Sequence, residues 1–321
     1  MSPSTSSPSS TTSISSEKVR PELKSWLDRG PRPGWLGLWL LLLGMALLVS
    51  IVNYRPPTEE RQSPAMAYHT VTLPPLSEPL PSLWIEDLTW TEIAQAQTAG
   101  YDTVLLASGG IEPNGPHLPI GKHNAIVRAA ANEIARRRGK TLIAPLLVYV
   151  PEQPFANYPG TISLSPELFQ QVIEATTQGF LSQGFQHVIL LGDSGGNQEP
   201  LRAAANSLRL NCRTGQRVVF LDQYYFGHGQ GEWLRGQGLS LPTLGTHAGV
   251  ADTAEWMAAQ ASDLRNVELI SRTDLVHDGD PTLATRELGQ QLLELKIQAA
   301  LRQLESEIPN NRVAREFRSR P

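Results

Sequence analysis

The stretch that decides the fold is residues 187–197, His187-Val-Ile-Leu-Leu-Gly-Asp-Ser-Gly-Gly-Asn197. An apolar run is followed at once by a short polar turn rich in glycine, and residues 198–209 then have the pattern of a helix. A strand that is apolar throughout, with a helix after it, is typical of a parallel sheet covered on both faces. Ligands of such sheets bind beyond the carboxyl ends of the strands, which makes residues 192–197 the first candidate site.

The same alternation extends along the chain from about residue 81. Serine is a good helix cap and proline fits the first helical turn, so Ser165 and Pro166 mark a helix start. The pattern predicts a three-layer α/β/α sandwich with a mainly parallel sheet over residues 81–306, followed by a polar tail over residues 307–321. Strands are expected at residues 102–107, 142–149, 187–191 and 218–221, and helices at 123–138, 165–182, 198–209, 252–263 and 282–304.

The first quarter of the chain is predicted to anchor the protein. Residues 1–34 are rich in Ser, Thr and Pro and then basic, which indicates a disordered cytoplasmic tail. Residues 35–54 are apolar and uncharged, and about 20 such residues cross a membrane as a helix. More basic residues precede this segment than follow it, which predicts a single-pass protein whose main domain is periplasmic or otherwise extracytoplasmic. Residues 55–80 are proline-rich and are expected to form a stalk, and a cleaved signal peptide remains the alternative.

Composition narrows the function classes. The chain has 321 residues and a formal net charge of −4, which gives it no general attraction for nucleic acid. Its single cysteine, Cys212, excludes an intramolecular disulfide framework and a cysteine-rich metal site. The net charge and the single cysteine are both compatible with a globular enzyme whose loops lie at one edge of a sheet.

Six segments in order resemble the creatininase family of metal-dependent amidohydrolases. They are residues 86–93, residues 109–119 (Gly109-Gly-Ile-Glu-Pro-Asn-Gly-Pro-His-Leu-Pro119), residues 158–163 (Tyr158-Pro-Gly-Thr-Ile-Ser163), residues 192–197, residues 247–249 and residues 279–285. The resemblance covers roughly residues 83–305 and implies a creatininase-like fold. It also implies hydrolysis of an amide or related C–N bond, possibly cyclic, in a small molecule.

The resemblance implies a metal centre whose ligand types have changed. Family members usually bind two divalent ions through a Glu, two His and a bridging Asp. Glu112 matches the Glu, Asn114 and Ser194 stand at the two His positions, and His123 stands at the Asp position. Asp193 brings a carboxylate next to Ser194. The predicted ligands are therefore Glu112, His123, Asp193 and Asn114, holding one or two ions of Zn, Mn or Fe.

The remaining family positions imply how substrate would be handled. His247 is expected to act as acid and base, and Asp252 keeps a carboxylate where the family has a Glu, whereas Val250 has lost one. A metal-bound water would attack the carbonyl, and His247 would pass a proton to the departing nitrogen. The expected substrate contacts are His117, Ser194, Asn197 and His228. By family analogy the chain is also expected to form a homo-oligomer, such as a hexamer.

Two other functions fit parts of the sequence. The replaced ligands are also compatible with a membrane-tethered binding or scaffold domain that kept the pocket and lost the chemistry. Residues 192–196 match the G-x-S-x-G pattern of a nucleophile elbow, with Asp222 and His247 following in the order of a serine hydrolase. Metal content and the effect of replacing Ser194 distinguish these alternatives.

Overall fold

The computed structural model describes residues 75–76, 79–260, 276 and 278–309. These residues belong to one of the two compact units into which the chain divides, residues 72–321. The expected tail and membrane span at residues 1–54, and most of the stalk and of the C-terminal tail, lie outside the described residues. Within the described part of the chain, no helix is long and apolar enough to span a membrane.

Strands and helices alternate through the described part as the sequence predicts. The strands are β1 (Thr103–Ser108), β2 (Thr141–Ile143), β3 (His187–Gly192) and β4 (Arg217–Phe220). The helices are α1 (Trp90–Thr98), α2 (Lys122–Arg138), α3 (Pro166–Ser182), α4 (Gln198–Arg209), α5 (Asp222–Tyr225), α6 (Gln230–Gly236), α7 (Leu241–Leu244), α8 (Val250–Ala259) and α9 (Arg286–Glu307). Short 3-10 turns lie at Ile85–Asp87, Gln153–Phe155, Gly195–Asn197 and Pro281–Leu283.

The described strands form one parallel sheet in the order β2-β1-β3-β4. The chain leaves β1 for β2 on one side and then returns to the other side of β1 as β3. The register of β1 and β3 runs from Thr103 opposite His187 to Ser108 opposite Gly192. A parallel sheet that reverses its winding in this way has a crevice at the carboxyl ends of the two strands where the reversal occurs.

Helices cover both faces of the sheet, which confirms the mainly parallel α/β fold. Leu105 and Ala107 of β1 pack with residues of α2 and α9, whereas Val104 and Leu106 pack with residues of α1, α3 and α4. Successive side chains of a strand point to opposite faces, so a strand buried on both sides must be apolar at every position. All six side chains of β1 are buried accordingly.

Two element boundaries differ from the sequence prediction. Strand β2 ends at Ile143 instead of residue 149, and Leu147 makes only an isolated bridge to Ser108. Pro145 follows closely and has no N–H group with which to continue a ladder. The last helix begins at Arg286 instead of residue 282, because the Thr285 side chain accepts the N–H of Leu288 and caps the helix there.

Candidate functional site

The loops that follow β1 and β3 border one cavity of about 880 Å³, which also includes residues 244–252. The three polar, glycine-rich stretches of the sequence therefore converge at one edge of the sheet. Unusually many ionisable side chains line this cavity: Glu112, Lys122, His123, Glu152, Asp193, His228, His247, Asp252, Glu255 and Lys296. Perturbed ionisable groups in a cleft are what an active site requires.

The loop after β1 places Glu112 by backbone hydrogen bonds. The N–H of Glu112 donates to the carbonyl of Ile120 at 3.1 Å, and the Asn114 Nδ2 donates to the carbonyl of Glu112 at 2.8 Å. The N–H of Gly110 donates to the Asn124 side chain at 3.0 Å. Asn114 is fully buried, so its amide supports the loop that presents Glu112.

His123 lies between two carboxylates. Its Nε2 is 2.8 Å from Glu112 Oε1, and its Nδ1 is 2.8 Å from Asp193 Oδ2. Burial and the charge of Lys122 lower the pKa of His123, but the hydrogen bonds to Asp193 and Glu112 outweigh them and raise it to about 9. The imidazole is thus held as a cation that joins the loop after β1 to the loop after β3.

A lysine from the last helix completes the Asp193 side of the site. Asp193 Oδ1 accepts hydrogen bonds from Lys296 Nζ at 2.6 Å and from the Tyr224 hydroxyl at 2.8 Å. Lys296 Nζ also lies 3.1 Å from Glu255 Oε2, and Glu255 accepts a hydrogen bond from the Gln230 amide. Burial opposes ionisation of Asp193, yet Lys296 and His123 hold its pKa well below its usual range.

A second carboxyl group, Glu152, lies against Glu112. The charge of Glu112 disfavours ionisation of Glu152, and Ser194 lies beside the same carboxyl group. Burial and the neighbouring Glu112 raise the pKa of Glu152 to about 8. Burial opposes ionisation of Glu112, but His123 outweighs it and lowers the pKa of Glu112 to about 2. The Oε1 atom of Glu152 is buried without a hydrogen-bond partner among the described residues.

The site contains more acidic groups than cationic groups. Its cationic groups are Lys122, His123 and Lys296, which all pair with carboxylates. Its inner carboxyl groups are Glu112, Glu152, Asp193, Asp252 and Glu255, while the exposed Glu167 and Glu199 also line the cavity. The inner carboxyl groups exceed the three cations by two, a surplus that would be neutralised by two protons or by one divalent ion. The unpartnered oxygen of Glu152 puts part of that surplus on the Glu112 side of the cavity.

His247 borders the same side of the cavity. Its Nε2 is 2.8 Å from the carbonyl oxygen of Pro113, its Nδ1 is 3.8 Å from Glu112 Oε1, and its ring stacks on Phe155 at 5.1 Å. A carbonyl oxygen only accepts, so Nε2 carries the hydrogen and Nδ1 keeps a free lone pair in the neutral ring. The next residue, Ala248, has a φ of 53°, a conformation that non-glycine residues rarely adopt.

Asp252 and Asp278 hold the backbone around His247. The Asp252 Oδ2 atom accepts the N–H of Ala248 at 2.8 Å and the Lys122 ammonium at 2.6 Å. Asp278 accepts the N–H groups of Thr246 and His247. Asp252 thus sustains the unusual backbone at Ala248. Asp252 also lines the cavity, and its contacts are those of a residue that positions His247.

Two predicted substrate contacts lie away from the cavity. The His117 Nε2 is hydrogen-bonded to the Thr253 hydroxyl at 3.0 Å, and the His117 side chain is buried. The Asn197 Nδ2 donates to the carbonyl and hydroxyl of Ser108 and to the carbonyl of Gly109. Neither residue is among the side chains that line the cavity, so the structure gives these two predictions no support. Asn197 instead ties the end of β1 to the loop after β3.

The other two predicted contacts, Ser194 and His228, do line the cavity. Burial lowers the pKa of His228 to about 4, and its Nδ1 accepts the N–H of Gln230 at 3.1 Å. A serine-hydrolase relay is not assembled. The Ser194 hydroxyl accepts the N–H of Gly196 at 3.4 Å, Asp222 pairs with Arg202, and His247 Nε2 is hydrogen-bonded to the Pro113 carbonyl. The nucleophile-elbow interpretation therefore loses its geometric support.

Four cavity residues were missed by sequence reasoning: Glu152, Glu255, Lys122 and Lys296. Glu152 lies in the loop that follows β2, at the same edge of the sheet as Glu112. Lys296 carried a signal, because it interrupts the apolar stripe of α9 between Leu292 and Ala300. A lysine at a buried helix position requires a carboxylate partner, and that requirement points to the site.

Comparison with protein families supplies the identity of the domain. The family model described as Creatininase: Creatinine amidohydrolase matches residues 86–304. The chain belongs to the creatininase family. The match spans all the cavity residues, and it confirms the family resemblance drawn from the six sequence segments.

The relatives of this creatininase-family chain include hydrolases and peptidases. A mycofactocin precursor peptide peptidase of Mycolicibacterium smegmatis is 24% identical over 214 residues, which are 59% of this chain and 78% of the relative. A 3-dehydro-scyllo-inosose hydrolase of Thermotoga maritima is 28% identical over 94 residues, which are 29% of this chain and 30% of the relative. Family membership and these names support a hydrolase.

Solved structures show the same fold. A crystal structure of creatinine amidohydrolase (creatininase) has a TM-score of 0.56 at 21% identity, covering 72% of this chain and 99% of its own. Similar structures are described as a Zn-Zn type mutant creatininase, with a TM-score of 0.55, and as creatininase Mn, with a TM-score of 0.56. At about 20% identity these likenesses concern the fold, and their metals are consistent with a divalent ion in the family.

The donor set of this chain departs from that of a two-ion centre. Among the described residues, no group of three or more His, Cys, Asp or Glu is arranged to hold a metal ion. Both ring nitrogens of His123 are hydrogen-bonded to carboxylates, and Asp193 accepts a hydrogen bond from the Lys296 ammonium. The Glu112 side differs. Oxygen donors are available there from Glu112, Glu152 and Ser194, and one Glu152 oxygen has no hydrogen-bond partner among the described residues. The chemistry there fits one hard divalent ion that keeps several waters.

Proposed function

We propose that this chain is an amidohydrolase that cleaves an amide or related C–N bond of a small molecule in the cavity beyond β1 and β3. The observation that carries the proposal is the placement of His247. Its ring borders the cavity, the Pro113 carbonyl fixes the hydrogen on Nε2, and the Nδ1 lone pair lies 3.8 Å from Glu112. A neutral imidazole in that orientation can take a proton from water and return it to a departing nitrogen.

The neighbouring side chains hold His247 in one orientation. Phe155 stacks on the ring with an interplanar angle of 16°, and Asp252 and Asp278 fix the backbone on both sides of it. A base that is already oriented loses little entropy in the transition state. The flat surface of Phe155 and His247 also borders the cavity, where it offers a wall for a planar amide.

We infer metal dependence from the family relationship and from the oxygen donors on the Glu112 side of the cavity. Glu112 and Glu152 are the residues that would hold a divalent ion. When bound, such an ion would polarise the scissile carbonyl and lower the pKa of a bound water.

The decisive experiment measures hydrolysis by the full chain and by two cavity variants. The chain is stripped of metal, reloaded with Zn²⁺ or Mn²⁺, and given linear amides, cyclic amides and short peptides, with product formation followed by NMR. His247→Asn should lower kcat by about 10²–10⁴-fold with a small change in KM. Glu167→Gln is the matched control, because Glu167 lines the cavity from an exposed position. Wild-type turnover by His247→Asn would overturn the role of His247.

Complete inactivity of the wild-type chain toward every amide, with and without each ion, would overturn the hydrolase proposal. In that case tight binding of an amide without turnover would favour the membrane-tethered binding domain. Loss of activity on replacing Ser194, with no effect of chelators, would favour a serine hydrolase.

We also propose that residues 35–54 anchor the chain in a membrane, with the hydrolase domain on the extracytoplasmic side. The support is the uncharged apolar run between Arg32 and Arg55 and the excess of basic residues before it. Protease added outside intact cells should digest the domain and leave the N-terminal tail protected. Digestion of the tail alone would reverse the orientation. Assembly into a hexamer remains a prediction from family analogy.

A further inference from the structure

Lys296 is a buried cation deep in the site. It projects from α9, a helix that otherwise buries apolar side chains, and its side chain is 7% exposed. The ammonium group lies 2.6 Å from Asp193 Oδ1, 3.1 Å from Glu255 Oε2 and 4.6 Å from the centre of the Tyr224 ring. An ammonium ion is desolvated at such a position only at a high free-energy cost, which the two carboxylates offset.

The bonding of Asp193 is nearly saturated by these contacts. Its Oδ1 accepts from both Lys296 and Tyr224, and its Oδ2 accepts from His123. A carboxylate oxygen that already accepts two hydrogen bonds has no lone pair left for a metal ion. Lys296 and Tyr224 would have to move before Asp193 Oδ1 could become a ligand.

His123 is unable to act as a ligand in the same arrangement. Its two ring nitrogens each lie 2.8 Å from a carboxylate oxygen, and ionised carboxylates only accept hydrogen bonds. A metal ligand needs a ring nitrogen with a free lone pair, so an ion at either nitrogen of His123 would have to displace one of these two carboxylate contacts.

We propose that Lys296 is the internal cation of this site: it neutralises Asp193 and Glu255 and, together with Tyr224, occupies the Asp193 oxygen that a second ion would need, so the Asp193 side holds no metal ion. The chain therefore binds at most one divalent ion, on the Glu112 side. A fixed ammonium group does the electrostatic work that a second ion does in a two-ion centre. The inference concerns ion stoichiometry, and it holds whether or not the chain hydrolyses an amide.

The first test uses the unaltered full chain. Protein dialysed against Zn²⁺ or Mn²⁺ and then against metal-free buffer is analysed by elemental mass spectrometry. We expect no more than one ion per chain. Two ions per chain would overturn the proposal without any mutation at Lys296.

The second test changes Lys296 itself. Lys296→Met removes the charge with little change in volume and leaves Asp193 and Glu255 facing each other. We expect this variant to bind one more divalent ion per chain than the wild type. Lys296→Arg is the matched control, because it keeps the charge and should keep the wild-type ion count.

An unchanged ion count in Lys296→Met would show that the lysine is only a structural ion pair. Circular dichroism checks that the variants fold. If Lys296→Met does not fold, the double variant Lys296→Met with Asp193→Asn removes both charges and should fold with no more than one ion. An ion count of two in that double variant would contradict the proposal.

Discussion

Loss of Asp252 from its ion pair with Lys122 should destabilise the protein more than loss of Lys122. The reason is that Lys122 is the more deeply buried of the two side chains. The Lys122 Nζ lies 2.6 Å from Asp252 Oδ2, with side chains that are 1% and 27% exposed. Asp252→Asn leaves an unpaired ammonium in the interior, so the free energy of unfolding should fall by about 3–5 kcal/mol. Lys122→Met leaves a carboxylate that still reaches water and the Ala248 N–H, so the loss should be nearer about 2 kcal/mol.

The double variant Lys122→Met with Asp252→Asn should lose less than the sum of the two single variants. The asparagine oxygen still accepts the Ala248 N–H and no buried charge remains, so we expect a coupling free energy of at least about 2 kcal/mol. The assay is urea unfolding of the full chain at pH 7, followed by tryptophan fluorescence. The matched control is Arg128 with Glu86, an exposed pair 3.2 Å apart, whose coupling should be below about 0.5 kcal/mol.

The pH dependence gives a second check on the same pair. Burial opposes ionisation of Asp252, but Lys122 and His123 hold its pKa well below the usual range. A depressed folded-state pKa stabilises the protein above the unfolded pKa, about 4, and this stability is lost as the pH falls below it. The stability difference between wild type and Lys122→Met should therefore be full at pH 7 and shrink below about pH 4. Additive single variants, or a larger loss for Lys122→Met than for Asp252→Asn, would refute the reasoning.

Three further predictions test other parts of the structure. Asn197→Ala should lower the free energy of unfolding by about 2–3 kcal/mol in thermal melts, because three hydrogen bonds to the end of β1 are lost. The exposed Asn206→Ala on α4 is its control and should change stability by less than about 0.5 kcal/mol. Ser194→Ala should keep turnover within about tenfold of wild type, since removing a triad serine costs far more, and a drop to background would revive the serine mechanism. Deletion of residues 1–54 should move the chain from the membrane fraction to the soluble fraction on centrifugation, and continued sedimentation with membranes would place the anchor elsewhere.

The position of the site was predictable because the carboxyl ends of parallel strands meet at one edge. Glu112 and Asp193 follow apolar runs in the sequence, and the structure brings them to opposite sides of His123. The roles of these residues were harder to predict. A histidine and two carboxylates have the composition of a metal site, but the same groups can bond to one another when a further cation is near.

The two predicted substrate contacts that do not line the cavity show a similar limit. His117 and Asn197 are polar residues in glycine-rich loops, and such residues are good candidates for binding. The structure turns His117 toward Thr253 and Asn197 toward the end of β1. A polar side chain in a loop next to a buried strand end must satisfy backbone groups there before it can serve a ligand.

The sequence by itself determined the parallel α/β fold, because buried strands must be apolar on both faces, and it determined the sheet edge where the site lies. It also determined the family, through motifs that lie close together along the chain. Only the tertiary structure decided which charge faces which. Lys296 and Asp193 are 103 residues apart in sequence and 2.6 Å apart in space. The electrostatic character of the site depends on that long-range contact. The energy between two charges depends on their distance in the folded molecule, and local sequence patterns do not give that distance.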